Sequence, residues 1–108
     1  MFSIENNVIS ITRGDTGRFE LTVLDPQGNK YDYDEDSVVF TVKANTTAEN
    51  PLIEKTIKPD ETIVIEPDDT ANLAYGKYVY DVELVTKTGI VDTIITPHPF
   101  YIRPEVTF

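Results

Sequence analysis

The sequence predicts an all-β domain built from two packed antiparallel sheets. Polar and apolar residues alternate along 18–23 and 77–84, the pattern of strands with one buried and one solvated face. The segments 38–43 and 62–66 are short and rich in β-branched residues, which favour pleated sheets over helices. Turn signals, among them Pro26-Gln27-Gly28, separate these segments at the spacing typical of sandwiches.

About seven to eight strands are therefore expected, in a single β-sandwich domain over residues 1–108. The segment 86–89 lies between two apolar runs and predicts a hairpin turn. Prolines at three positions begin or end segments, because proline cannot donate to a strand ladder. The predicted strands lie near residues 7–12, 18–25, 37–43, 52–57, 62–66, 77–86, 89–96 and 100–103.

One short helical turn is expected near 67–73, before the longest strand. Pro67 suits a first helical position, and the two aspartates after it favour the positive end of the helix dipole. Gly76 then ends the helix. This order is similar to the crossover of immunoglobulin-like sandwiches, where a tyrosine near a strand start bonds to upstream backbone. Tyr78 is the first candidate for that role and Tyr80 the second.

Composition narrows the range of partners. The chain has 108 residues, with 9 Lys and Arg against 19 Asp and Glu, so its formal net charge is −10. Nucleic acid and anionic membrane surfaces are not expected partners, because both require clustered basic residues. The absence of cysteine excludes disulfides and thiolate metal sites. The first residues lack the basic and apolar runs of a signal peptide, which predicts synthesis in the cytoplasm.

No catalytic constellation is visible, so neither an enzyme nor a cofactor is expected. His98 lies between two prolines, and no serine occupies a strand–turn–helix elbow. Asp32, Asp34 and Asp36 match the first ligand positions of a calcium loop, but the later positions lack the required glycine and glutamate. A solvated acidic turn is the preferred interpretation of 31–36, and calcium binding in another loop geometry is the alternative.

Several segments together resemble the N-terminal immunoglobulin-like domain of phage baseplate upper proteins, and stand-alone prophage proteins of similar size. The strongest are the Arg-Gly-Asp-Thr start at 13–16 and the Tyr-Val-Tyr-Asp strand at 78–81. The others are 38–43, 63–73, the arm 89–96 and the terminal 102–107. The resemblance implies a non-enzymatic structural or assembly module of a phage or prophage tail or baseplate. It further implies incorporation into the virion, other virion proteins as partners, and a homo-oligomer compatible with particle symmetry.

Aromatic residues near the chain ends and in the acidic turn are the candidate partner surface, because tyrosine and phenylalanine are enriched in interface cores. Ordinary core packing is the competing interpretation for each. The alternative function is a carbohydrate- or host-surface-binding sandwich, assisted by calcium, with an exposed aromatic platform beside 31–36. The candidate contact residues are Phe2, Tyr31, Tyr33, Tyr101 and Phe108.

Overall fold

The computed structural model of the chain describes residues 1–21, 27, 36–58 and 62–105. Within these ranges the chain forms eight strands and one helix. The elements in chain order are β1 (Phe2–Glu5), β2 (Val8–Thr12), β3 (Gly17–Glu20), β4 (Ser37–Lys43), β5 (Ile53–Ile57), β6 (Thr62–Ile65), α1 (Pro67–Ala71), β7 (Gly76–Val85) and β8 (Val91–Arg103). The all-β class expected from the period-2 pattern is confirmed. The end of the predicted strand 18–25 lies outside the described residues.

The strands form two sheets. A six-stranded sheet has the order β1-β2-β8-β7-β4-β5, and a two-stranded sheet pairs β3 with β6. The expectation of purely antiparallel sheets is wrong at one place, because β2 and β8 run parallel and Ile9 pairs with Phe100. These strands come from opposite parts of the chain. No tight turn joins them, so no turn imposes the antiparallel direction.

The core lies between the inner face of the six-stranded sheet and the β3–β6 pair. Phe40 is at its centre, with ring centroids 5.5 Å from Phe19, 5.5 Å from Tyr80 and 6.3 Å from Phe100. Such tilted and edge-to-face contacts add to the hydrophobic stabilisation of buried rings. The other buried apolar residues are Ile9, Ile11, Val38, Val42, Ile53, Ile63, Ile65, Val82, Leu84 and Ile102.

The predicted helical turn and tyrosine corner are both confirmed, but the helix ends at Ala71 with Asn72 as its C-cap and not at Gly76, which begins β7. Pro67 opens α1, and the backbone N–H of Glu66 donates to the Asp69 carboxylate at 2.7 Å. At the start of β7, the Tyr78 hydroxyl donates to the carbonyl of Ala74 at 2.7 Å. This bond ties the strand to the segment that leads into it, as it does in immunoglobulin-like sandwiches.

The first strand, β1, was not expected from the sequence. It pairs with β2 through a two-residue turn in which Asn6 and Asn7 have φ angles of 52° and 65°. Positive φ at both central positions is the geometry of a type I′ hairpin turn, which asparagine tolerates well. Because this signal is conformational rather than hydrophobic, the apolar pattern of residues 1–7 does not reveal it.

The predicted separation of strands 89–96 and 100–103 is also wrong, since β8 runs unbroken from Val91 to Arg103 through Pro97 and Pro99. The β7–β8 register shifts between Tyr80 and Val82 and again between Val82 and Glu83, and at each shift β8 has one residue more than β7. Proline is tolerated at bulges and at strand edges. A 13-residue strand is about 43 Å long, which accounts for the 46 Å long axis of the molecule.

Candidate interaction surfaces

The predicted contact residues have different environments. Phe2 is half-buried, and its ring stacks on Phe19 with a centroid separation of 5.8 Å, so it is engaged at the edge of the core. Tyr101 is half-buried on the outer face of the six-stranded sheet, with the Arg103 guanidinium 4.5 Å from its ring centroid. Tyr31, Tyr33 and Phe108 lie outside the described residues.

The tip of the β7–β8 hairpin exposes two aliphatic side chains. The turn closes through the N–H of Thr86, which donates to the carbonyl of Ile90 at 2.9 Å, and Gly89 has a φ of 89°. Ile90 is 64% exposed and Val91 is 57% exposed. Sequence analysis predicted this hairpin but not its apolar tip, although the Gly-Ile-Val run directly after the turn carried that signal.

The last acidic residue of the 31–36 stretch supports this turn. Asp36 is buried, with an exposed fraction of 7%, and its Oδ1 accepts a hydrogen bond of 2.9 Å from the backbone N–H of Lys87. A buried carboxylate that accepts a backbone hydrogen bond has a structural role. Residues 31–35, including Asp32 and Asp34 of the candidate calcium loop, lie outside the described residues.

One edge of β8 is open along most of its length. β7 pairs with one side of β8 from Val91 to Ile102, whereas β2 pairs with the other side only from Phe100 to Arg103. Among the described residues, no strand pairs with the β2 side of 91–99. The stretch 91–96 contains a single charged residue and no proline, so charge and proline protect this edge little, although a register shift against β7 lies between Thr93 and Ile95.

The outer face of the six-stranded sheet carries a groove of about 390 Å³. Its floor is formed by side chains of β4 and β7, including Val39, Thr41 and Val79, and its rim by the loop 44–52 and Pro97. Three carboxylates of the sheet line it, namely Glu54, Asp81 and Glu83. Glu49 of the loop and Lys43 of β4 also line it, so carboxylates outnumber cations in the groove.

Charge on this outer face is segregated along the strand direction. Residues that pair across neighbouring strands form a row on this face, and successive rows are two residues apart along each strand. At one end, Lys77 pairs with Tyr101, and Lys43 pairs with Val79 in the next row along β7. We call Lys43, Lys77 and Arg103 the basic half. In the following rows, Thr41 pairs with both Asp81 and Glu54, and Val39 pairs with Glu83. We call Glu54, Asp81 and Glu83 the acidic half.

No protein-family model, curated protein or solved structure matches this chain. The resemblance to phage baseplate proteins therefore stays a prediction from the quoted segments.

Arg13, the first residue of the Arg-Gly-Asp start, belongs to a closed polar cluster. Its Nη2 lies 2.6 Å from Oε1 of Glu105, and its guanidinium lies 4.3 Å from the centroid of the Tyr75 ring. The Tyr75 hydroxyl donates to the other oxygen of Glu105 at 3.1 Å. Beside it, the N–H of Gly14 donates to the buried Thr70 hydroxyl at 2.8 Å. The cluster joins the β2–β3 turn to the α1 region and the end of β8, which is a structural role.

This cluster makes the stability of the fold depend on pH. Hydrogen bonds from Arg13 hold the pKa of Glu105 below its usual value, although partial desolvation opposes them, and they raise the pKa of Arg13. A carboxyl with a lowered pKa in the folded state contributes stability above the unfolded pKa, about 4.3. That contribution is lost as the pH falls through the folded pKa.

We expect Glu105→Gln to reduce the loss of stability between neutral and acid pH. The amide cannot titrate, so the variant is less stable than the wild type at pH 7 and closer to it at about pH 3. Urea denaturation midpoints at both pH values test this. The exposed Glu5→Gln is the control and should follow the wild type. A constant difference between Glu105→Gln and the wild type at both pH values would contradict the linkage.

Among the described residues, no helix is long and apolar enough to cross a membrane. In the same part of the chain, no group of three or more His, Asp or Glu side chains is arranged to hold a metal ion.

Proposed function

We propose that this protein is a non-enzymatic assembly module of a bacteriophage or prophage particle, at the tail or baseplate, that binds another virion protein through the open edge of β8. The observation that carries the protein-binding role is the unpaired stretch 91–96 beside the exposed Ile90 and Val91. The phage context is supported by the resemblance of the sequence segments to baseplate proteins.

An open edge offers a partner strand a row of backbone N–H and C=O groups. Strand addition to such an edge supplies main-chain hydrogen bonds, and side chains next to it supply specificity. Ile90 and Val91 lie at the hairpin tip, next to one end of the strand that the partner would add. Burying an exposed aliphatic side chain of this size contributes about 1.5–3 kcal/mol before the costs of association. The tip is therefore the anchor of the proposed contact.

The β1–β2 hairpin limits where the added strand would lie. The pairing of β2 with β8 begins at Ile9 and Phe100 and continues away from the hairpin tip. The turn at Asn6 and Asn7 directly precedes β2 in the chain. The hydroxyl of Tyr80 donates to the Asn7 carbonyl at 2.5 Å and holds this turn beside the sheet. A partner strand would therefore continue the line of β2 along 91–96, between the Asn turn and the hairpin tip.

The alternative function, a carbohydrate- or host-surface-binding module, depends on an aromatic platform beside 31–36. Residues 31–35 lie outside the described part of the chain. The described groove on the outer face is lined by aliphatic, polar and charged side chains, with Tyr80 as its one aromatic residue among those described. No described feature therefore favours this alternative over the protein-binding role.

The protein composition of purified phage particles tests the proposal. A tagged copy of the chain is expressed in a source strain that carries the prophage, the prophage is induced, and gradient-purified particles are analysed by quantitative mass spectrometry. We expect several copies of the chain per particle. Absence from clean particles, with the chain abundant in the lysate, would overturn the virion assignment.

Two variants in the same assay test the edge of β8. Ile90→Lys combined with Val91→Lys places two charges at the anchor, and we expect incorporation to fall at least tenfold. Leu52→Lys is the matched control, because Leu52 is 41% exposed and precedes β5 at the opposite edge of the sheet. Thermal unfolding establishes that each variant is folded. Wild-type incorporation of the tip variant would exclude this edge as the contact.

A further inference from the structure

We propose that the outer face of the six-stranded sheet is a self-association surface, on which a second copy of this chain docks with its strands reversed. The inference goes beyond the proposed function, because it concerns a sheet face and an identical partner instead of an open edge and a different protein. It rests on the distribution of charge over this face and on the groove between the loop 44–52 and β7.

The outer face carries charges of both signs, whereas the chain as a whole has a net charge of −10. The basic half and the acidic half contribute three charges each, and Glu49 in the groove and Glu5 on β1 are further carboxylates on this side of the sheet. Among the described residues, none of the six side chains in the two halves forms a salt bridge. Lys77, Arg103 and Glu54 are exposed, and Lys43, Asp81 and Glu83 are half-buried. Arg103 donates to the Ser10 hydroxyl at 3.2 Å and lies over the Tyr101 ring, so the other five charges are the ones available to a partner.

The strand register shows why a second copy is complementary. A twofold axis that runs across the strands, between the levels of Val79 and Asp81, reverses the order of the rows. It places Lys77 of each copy opposite Glu83 of the other, and Lys43 opposite the row of Glu54 and Asp81. Twofold interfaces are self-complementary by construction, so each favourable pairing occurs twice.

The groove accommodates one of these pairings. Lys43 of one copy would enter the groove of the other. Glu49, Glu54, Asp81 and Glu83 line this groove together with that copy's own Lys43, so carboxylates outnumber cations in it. A partner with charge of one sign only would oppose one half of the face while it attracted the other. A second copy with reversed strands brings Lys43 and Lys77 of the basic half opposite the acidic half of the other copy, and this favours it as the occupant.

The geometry is compatible with sheet packing. Two sheets pack face to face at about 10 Å with strand directions within about 30° of each other. Val39, Thr41 and Val79, between the charged rows, would form the apolar part of the contact. The face of six strands is about 24 Å wide, which suits a small interface and a weak dimer.

Sedimentation equilibrium of the wild-type chain is the first test, over roughly 10 µM to 1 mM protein. It is done at about 0.15 M salt, where the Debye length is about 8 Å, so that general repulsion between acidic chains is screened more than contacts between adjacent charges. We expect a monomer–dimer equilibrium. A chain that stays monomeric throughout this range would overturn the proposal.

Charge reversal distinguishes this face from any other dimer interface. The acidic variant Lys43→Glu with Lys77→Glu and the basic variant Asp81→Lys with Glu83→Lys should each lose at least tenfold in dimer association. Mixed in equal amounts, they should form a heterodimer, because both contacts then join opposite charges. Failure of the mixture to associate, with both variants folded by circular dichroism, would overturn the proposed pairing. If either double variant does not fold, Lys77→Glu mixed with Glu83→Lys decides the same question.

A variant of the hairpin tip separates this inference from the proposed function. Val91 pairs with Val85 and would face Arg103 of the second copy, so dimerisation is measured on the tip variant with Ile90→Lys alone, which should dimerise like the wild type. Loss of dimerisation in the tip variant would place the self-association at the edge of β8. It would overturn the proposal that the outer face is the dimer interface.

Discussion

Replacing Phe40 with alanine is expected to lower the free energy of unfolding by about 3–5 kcal/mol. Phe40 is fully buried, and its ring lies between Phe19 of one sheet and Tyr80 and Phe100 of the other. The substitution removes the ring from the contact between the two sheets and leaves a cavity that the surrounding strands can fill only in part. A domain of this size has a stability of about 5–15 kcal/mol, so the loss is a large share of it.

Equilibrium unfolding in urea measures this change through the transition midpoint. Thr41→Ala is the matched control, since Thr41 is the next residue of β4, points to the outer face and is half-buried. We expect the control to cost less than about 1 kcal/mol. Similar losses for the two variants would show that the inner face of β4 is not the centre of the core.

Gly17→Ala is expected to destabilise the fold by about 1–3 kcal/mol, although alanine in the middle of a strand is usually more stable than glycine. A Cβ at Gly17 would lie 2.6 Å from Cδ2 of Phe2, well inside van der Waals contact. The ring of Phe2 cannot move freely, because it stacks on Phe19. The added methyl group therefore displaces the ring that closes this end of the core.

A double-mutant cycle with Phe2→Ala tests the steric explanation. With the ring removed, Gly17→Ala should cost little or become stabilising, because the space that the methyl group needs is then free. Urea unfolding of the four variants gives the coupling free energy. Equal costs of Gly17→Ala in the presence and absence of the Phe2 ring would show that the clash is not the cause.

Local patterns predicted much of this fold because their physical causes are local. Alternation along β7 places Tyr80, Val82 and Leu84 on the buried face, as expected from a period of two. Pro67 opens the helix, and Tyr78 forms its bond to Ala74 only four residues away. These features depend on side-chain spacing, backbone φ and short-range hydrogen bonds, all of which are written in a few neighbouring residues.

The features that the sequence did not predict depend on residues further apart in the chain. β1 depends on positive φ at two asparagines and on pairing with β2, and its own four residues are mostly exposed. The continuity of β8 through Pro97 and Pro99 depends on a bulge against β7 and on an open side. A proline ends a strand only where its missing N–H is needed, and that depends on the neighbouring strand.

The candidate contact residues also show which properties are local and which depend on the tertiary structure. Aromatic content suggested Phe2 as a contact residue, but its ring stacks on Phe19, which lies further along the chain and in the other sheet. Ile90 and Val91 are apolar in any conformation, and only the length of the β7–β8 hairpin places them in solvent.

The amino-acid pattern was sufficient for the β class, the helix before β7, the tyrosine corner and the hairpin at 86–89, because short-range sterics and hydrogen bonds specify them. Tertiary structure decided the parallel pairing of β2 with β8, the open edge of β8 and the division of the outer face into a basic and an acidic half. Each of these depends on which distant strands become neighbours and in what register. That choice minimises the free energy of the whole core, and no single segment encodes it.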